Sequence, residues 1–209
     1  MADETFQLCE GGHEFPYFYH SHNCGKKGVA RRTERTIELP IADFWLNALG
    51  KDAPPLAEIG AVTPYYWPGR VANVIDPSDR MGTIRKSMFD VDTAGMDVLS
   101  ISTIEHIGEG RYGRNEARTP LDAFRRIIER SNRCLITVPY GWISNASFRA
   151  LQDVLVNGCP FMDSHKVKVF TLRREHDETW SASNSYQAYG RPPKPWANSV
   201  LIAEKGGLL

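Results

Sequence analysis

Residues 96–108 read MDVLSISTIEHIG, and the architecture expected of the whole chain follows from how they are interpreted. Asp97 opens it, Val98, Leu99 and Ile101 form a short apolar run, and Ser102, Thr103, Glu105, His106 and Gly108 close it in small and polar residues. A short run with β-branched members is what a strand buried on both faces requires. In open parallel sheets, ligands sit outside the carboxyl ends of strands, which makes Glu105 and His106 candidates for a site. A plain loop whose polar groups cap the next helix would carry the same residues. The rest of the chain weighs on the side of a site, because it supplies further strands of the same kind, in order.

Downstream, TPLDAFRRIIERS reads as a helix, with Thr119 as N-cap, Asp122 three residues on, and an apolar stripe of Leu121, Phe124, Ile127 and Ile128. CLITVPYG (Cys134 to Gly141) is a strand, and residues 146–156 read as a helix with Phe148, Leu151, Val154 and Leu155 on one side. HKVKVFTLRRE is the next strand, HDETWSASN extends or pairs with it, and SVLIAEKG (Ser199 to Gly206) is the last. YQAYGRPPKPWAN is a Pro-rich connection. Upstream, LAEIG (Leu56 to Gly60) and VANVID (Val71 to Asp76) are short strands ending in Glu58-x-Gly60 and in Asp76, and Arg85 to Asp92 reads as a weaker edge-proximal strand. Strands alternating with helices predict a parallel sheet with crossover helices, and the strands gathered at the end predict an antiparallel finish.

An acid closing a second strand, about 20 residues past the first turn, suits the vicinal hydroxyls of a ribose. Asp76 followed by Pro77 and Ser78 also suits a simple turn. Ahead of these strands, Ile41, Phe44, Trp45 and Leu49 recur at helical spacing, so Pro40 to Leu49 reads as an amphipathic helix. It either covers an edge of the core or forms a lid over a pocket. Arg31, Arg32 and Arg35 read as a solvated or lid-facing patch. Phe15, Tyr17, Phe18 and Tyr19 make an aromatic arm, and Cys9, His13, His20, His22 and Cys24 do not follow the usual closed zinc spacings. The arm with incidental Cys and His is the preferred reading, with no metal.

Composition bounds the function. The chain has 209 residues, enough for one domain or for one domain with an N-terminal extension, and its 25 basic and 25 acidic side chains balance. That balance gives no general attraction for nucleic acid or an anionic membrane. No apolar run approaches the ~20 residues of a membrane span, and the N-terminus lacks a basic start and an apolar h-region. Four cysteines at unrelated spacings do not suggest a disulfide scaffold. The expected compartment is the cytoplasm.

Taken together, residues 54–206 resemble the class I S-adenosylmethionine-dependent methyltransferases. Glu58-x-Gly60 looks like the start of that family's glycine-rich cofactor loop, Asp76 like its ribose-binding acid, and Asp90 like the residue facing the adenine, with Asp92 as the alternative. Asp97 with Ser102 to His106 is similar to the family's fourth strand, and LITVPYG to its fifth. YFYHSHNC, ERTIELPIA, EIGAVTPYYWP and SISTIEHIG are also similar to uncharacterised methyltransferase-like proteins sometimes found with glycan-biosynthesis genes. The resemblance implies a Rossmann-like α/β fold: a mostly parallel sheet of about seven strands with an antiparallel last strand, flanked by helices. Residues 1–53 would be an arm and lid helix of the same domain, and residues 54–209 the methyltransferase-like part.

The implied cofactor is S-adenosylmethionine, bound by Glu58, Gly60, Asp76, Asp90 and Ser102. The acceptor is expected to be a small molecule or a sugar, lined by Tyr140 and Trp142, with Tyr65, Tyr66 and Trp67 as a second wall. Methyl transfer mainly needs two reactants positioned, plus a base where the acceptor must lose a proton. His106 is the candidate base or a pocket-lining residue, with Glu105 orienting it or meeting the acceptor. The loop departs from the family pattern: Gly60 is followed by Ala61, Val62, Thr63 and Pro64, so one glycine remains and Pro64 removes a backbone donor. A non-catalytic member of the fold, acting as a binding or partner module, is the alternative. A nucleotide-binding oxidoreductase would need a glycine-rich phosphate cradle that the chain lacks. A nucleic-acid methyltransferase would need a basic face or recognition domain. Oligomeric state is not legible in the sequence.

Overall fold

The computed structural model describes residues 5–18, 33–108, 117–140, 146–175, 179–183 and 199–209. Strands β1 (Thr5–Gln7) and β2 (Glu14–Pro16) form an antiparallel hairpin. Helix α1 (Arg35–Ala48) follows, then β3 (Leu56–Ile59), β4 (Asn73–Ile75), β5 (Asp97–Ile101), α2 (Pro120–Arg130) and β6 (Cys134–Tyr140). Helices α3 (Ala146–Asn157) and α4 (Pro160–Ser164) lead to β7 (Val167–Arg174), β8 (Trp180–Ala182) and β9 (Ser199–Lys205). The main sheet has seven strands in the order β4-β3-β5-β6-β9-β7-β8.

The sheet is mixed, and this corrects the expectation of a mostly parallel one. Three neighbouring pairs, β3–β4, β3–β5 and β5–β6, are parallel, whereas β6–β9, β9–β7 and β7–β8 are antiparallel. The parallel half arises where crossover segments return the chain to the same end of the sheet. The antiparallel half arises because β9, the last strand in sequence, inserts between β6 and β7.

Alternation along the strands sorts side chains onto two faces. Ala57, Ile59, Val98, Ile136, Val138, Leu201 and Ala203 pack with α2 and α3 on one face. Leu99, Ile101, Leu135, Leu172, Val200 and Ile202 pack with α1 and the β1–β2 hairpin on the other. Helix α2 is stopped at its start by the expected residues: the Asp122 amide donates to Thr119 Oγ1 (3.1 Å) and the Thr119 amide donates to Asp122 Oδ2 (2.9 Å), a reciprocal cap.

Two elements differ from expectation. Residues 85–92 are not a strand. Ile84 makes one parallel bridge to Ile75, and Met88–Asp90 is a single 3₁₀ turn whose start is held by Ser87, which accepts from the Phe89 amide. Arg85 and Lys86 are both exposed while Ser87 and Met88 are both buried, so there is no period-2 alternation to support pairing. Helix α1 begins five residues before Pro40, which lies inside it. A proline there leaves the carbonyl four residues earlier without its helical donor. The Phe18 amide supplies one, donating to the Thr36 carbonyl at 3.0 Å, so the proline is tolerated and the aromatic arm is tied to α1. Eight residues of α1, including Ile37, Leu39, Ile41 and Trp45, are buried, so this helix is a layer of the core whose first turn reaches the sheet's carboxyl end.

Candidate functional site

A cleft of about 410 Å³ opens at the carboxyl ends of β3, β4 and β5. From β3 the chain goes to β4 on one side and, later, to β5 on the other, so the cleft sits where the strand order reverses. Its walls are Ile59 to Val62 after β3, Ile75 to Asp79 after β4, Ser102, Thr103 and His106 to Gly108 after β5, with Ser87, Met88 and Arg35.

The loop after β3 is built by two acids. Glu58 is buried, and its Oε1 accepts from the amides of Val62 (3.0 Å) and Thr63 (2.8 Å), while its Oε2 accepts from the Thr63 hydroxyl. Asp76 Oδ2 accepts from the Ala61 amide (3.2 Å). Asp76 Oδ1 accepts from the amides of Ser78 and Asp79, both at 2.8 Å, and from the Ser78 hydroxyl. These bonds fix the path of the loop. Pro64 costs nothing in donors, because it lies inside the 3₁₀ turn Thr63–Tyr65, where its amide has no partner to lose. Gly60 is required by two constraints at once: its φ is +86°, and a Cβ there would lie 2.2 Å from Thr103 Oγ1.

Burial pushes the Glu58 carboxyl up to about 7, against the hydrogen bonds from Thr63 and Val62 and the positive charge of Arg35. A carboxyl whose folded value lies above its unfolded one binds its proton more tightly when folded. It therefore withdraws stability as pH rises from about 4.5 to about 7, and nothing further above that. Between pH 5 and 7.5, wild type is expected to lose roughly 2 kcal/mol relative to Glu58→Gln. Urea denaturation of both proteins at the two pH values checks this, and a constant difference between them would remove Glu58 from the role.

Behind the β5 end of the cleft lies a second polar cluster, anchored by α1. Glu38 is fully buried and accepts from Arg35 Nη1 (2.8 Å), Ser102 Oγ (2.5 Å) and Thr137 Oγ1 (2.7 Å). Ser102 takes a left-handed φ of +39°, and its amide donates to the Thr137 carbonyl (3.0 Å). A non-glycine residue held in this region is a strained position, and such strain collects at ligand sites. Burial, with the neighbouring Glu38 and Glu34, pushes the Glu105 carboxyl well above the ordinary carboxylate range; among the described residues its Oε2 has no hydrogen-bond partner. Glu105 Oε1 lies 3.8 Å from His106 Nε2, and the His106 side chain is 21% exposed towards the cleft.

The structure thus gathers Gly60, Asp76, Ser102 and His106 around one cleft. Glu58 and Glu105 are buried behind its walls, the first organising the loop and the second beside His106. Asp90 lies on the Met88–Asp90 turn, where Ser87 and Met88 form the wall instead. Tyr140 ends β6 away from the cleft lining, and Trp142 lies outside the described residues. Tyr65 donates from its hydroxyl to Asp79, whereas Tyr66 and Trp67 pack edge-on against Phe18. Of the Cys and His residues in the arm, His20, His22 and Cys24 lie outside the described residues, as do Tyr19, Arg31 and Arg32.

Arg35, read from the sequence as part of a solvated or lid-facing patch, lines the cleft, and Glu38 behind it is a buried acid that the sequence reading did not single out. The signal was present: Glu38 is a single acid within TIELPIA, and an acid inside an apolar helical face must find donors. Among the described residues no cluster of three or more His, Cys, Asp or Glu could hold a metal, and no helix is long and apolar enough to cross a membrane. No protein-family model, curated protein or solved structure matches this chain.

Proposed function

We propose that the chain is an S-adenosylmethionine-dependent methyltransferase of Rossmann-like architecture acting on a small-molecule or sugar-type acceptor. The observation that carries this reading is the cleft itself: about 410 Å³, at the point where strand order reverses, with Gly60 on one strand end and Asp76 on the next. Such a volume suits a small organic ligand. The absence of a Cβ at Gly60 lets the Thr103 side chain pack directly on the β3 loop backbone, which brings the two loops together at the cleft. Among the described residues Asp76 Oδ2 accepts one hydrogen bond, from Ala61, and a carboxylate oxygen has capacity for a second, here from a ribose hydroxyl.

When bound, S-adenosylmethionine supplies an activated methyl group and its own leaving group. The chain's part is then to position, to exclude water and to hold a proton. Gly60, Ala61 and Asp76 bind and orient the nucleoside end, with Ile59, Ile75 and Met88 as apolar walls. Ser102 and Thr103 shape the β5 end. His106, half-buried at that end, accepts a proton from the acceptor, and Glu105 at 3.8 Å is placed to orient the ring. Three free cysteines among the described residues, Cys9 being exposed, fit a reducing cytoplasmic setting.

Titration calorimetry with S-adenosylmethionine and S-adenosylhomocysteine, with NAD as control, tests the reading. Binding of the first two in the micromolar range supports it. A folded protein that binds neither would make the non-catalytic partner module the better account, the one-glycine loop having lost the ligand. With an acceptor in hand, His106→Ala is expected to lower turnover by about 100-fold while cofactor affinity changes little. The reverse pattern would place His106 in the binding wall.

A further inference from the structure

We infer that Arg35 is a clamp for the carboxylate of an α-amino-acid head group, holding that end of the cofactor in the cleft opposite Asp76. The inference rests on the cofactor reading above and deepens it by naming the group that the α1 end of the cleft recognises.

Three observations carry it. The first is placement. Asp76 and Asp79 line the cleft from the β4 side, and Arg35 lines it from the first turn of α1, so the two ends carry opposite charge. Arg35 is the one Arg or Lys among the described lining residues.

The second is donor geometry. A guanidinium has five N–H donors in a planar fork. Among the described residues, Glu38 takes one of them, at Nη1, and the side chain remains 23% exposed. Glu38 is itself fixed by Ser102 and Thr137, so the fork is held in place before any ligand arrives. An immobilised fork with open donors matches a carboxylate two bonds at a time.

The third is charge. Glu34, Glu38 and Glu105 all face Arg35; burial works against its charge, and these three acids outweigh it and hold the guanidinium protonated. Burial raises the Glu34 and Glu105 carboxyls in turn. A head group carrying both a carboxylate and an ammonium offers the guanidinium an anion and the surrounding acids a cation. A phosphate dianion would add two negative charges beside Glu38, and the acids would repel it.

The test compares two nucleosides that differ in this head group. S-adenosylhomocysteine carries it; methylthioadenosine ends at the thioether. Calorimetry is run on wild type, Arg35→Gln and Arg35→Lys, with thermal melting of each protein alongside. Loss of a charge-assisted bidentate contact is expected to weaken S-adenosylhomocysteine binding by about 10- to 100-fold in Arg35→Gln, with a smaller loss in Arg35→Lys. Methylthioadenosine affinity is expected to stay within about threefold in all three. Wild type binding both nucleosides equally would overturn the clamp while leaving the cofactor reading intact, as would an Arg35→Gln protein that keeps its preference. Equal losses for both would make Arg35 a structural residue and also overturn it. Wild type that binds neither nucleoside overturns both readings.

Discussion

Gly60→Ala is expected to abolish ligand binding in the cleft and to destabilise the fold. The new Cβ would stand 2.2 Å from Thr103 Oγ1, 2.4 Å from its Cγ2 and 2.7 Å from its Cβ. No rotamer of Thr103 relieves the last contact, so the β3 and β5 loops must part. A φ of +86° adds strain of its own for any L-residue. The two effects sum to about 2–4 kcal/mol of stability, and a loop displaced by even 1 Å costs a positioned ligand about 100-fold. Calorimetry with S-adenosylhomocysteine and urea denaturation measure the two losses. The double variant Gly60→Ala/Thr103→Gly separates them: it removes the steric part and leaves the backbone strain, so partial recovery is expected. A Gly60→Ala protein that binds and melts like wild type would show that the close approach of the two loops does not shape the cleft.

The second large effect is expected far from the cleft, at Asp97→Ala. Asp97 opens β5 and is fully buried. Its Oδ1 accepts from Asn132 Nδ2 (3.0 Å), the Arg133 amide (3.2 Å) and Arg133 Nε (3.0 Å), and its Oδ2 accepts from Arg133 Nη2 (2.6 Å). One carboxylate thus ties the start of β5 to the turn that starts β6. Removing it leaves these donors without an acceptor in the described structure. The cost is about 3 kcal/mol, at the low end for a broken buried pair because the Arg133 side chain is 20% exposed and can reach water. For a chain of this size that is a fall of about 6–12 °C in Tm. Asp97→Asn, which keeps an acceptor but not the charge, is expected to lose roughly half as much. A loss in Asp97→Ala under 1 kcal/mol (about the value of an exposed pair) would show that the ion pair is dispensable.

How much of this was legible in the sequence depends on how local each cause is. Thr119 and Asp122 cap α2 through bonds spanning three residues, and β5 and β6 are apolar runs whose burial needs no knowledge of their neighbours. Both kinds of element were readable. The start of α1 was not, because Pro40 is tolerated only through a donor from Phe18, a contact across the arm. Residues 85–92 were misread because acids and apolar residues in close order look like a strand end, whereas burial there follows a single turn.

The site divides in the same way. Gly60, Asp76, Ser102 and His106 lie where strand ends place them. Arg35 comes to the cleft through Glu38, whose partners Ser102 and Thr137 are 64 and 99 residues away in the chain. Glu58 was legible as an important acid, but its direction was not. Only the folded loop shows that its oxygens turn back onto Val62 and Thr63.

The position of β9 also bears on how the molecule comes into being during translation. A nascent chain emerges N-terminus first, at about 5–20 residues per second. β9 is last in sequence yet pairs with β6 on one side and β7 on the other, with seven residues in register on each. Until residues 199–205 have left the ribosome, the strands of the main sheet can pair only as two separate sets, each with an unpaired backbone row. One carries the cleft strands β3, β4 and β5, and the other is the β7–β8 pair. The cleft can therefore take shape before the sheet is closed. During that interval the open sides of β6 and β7 are the surfaces on which chaperones, or a second nascent chain, would act.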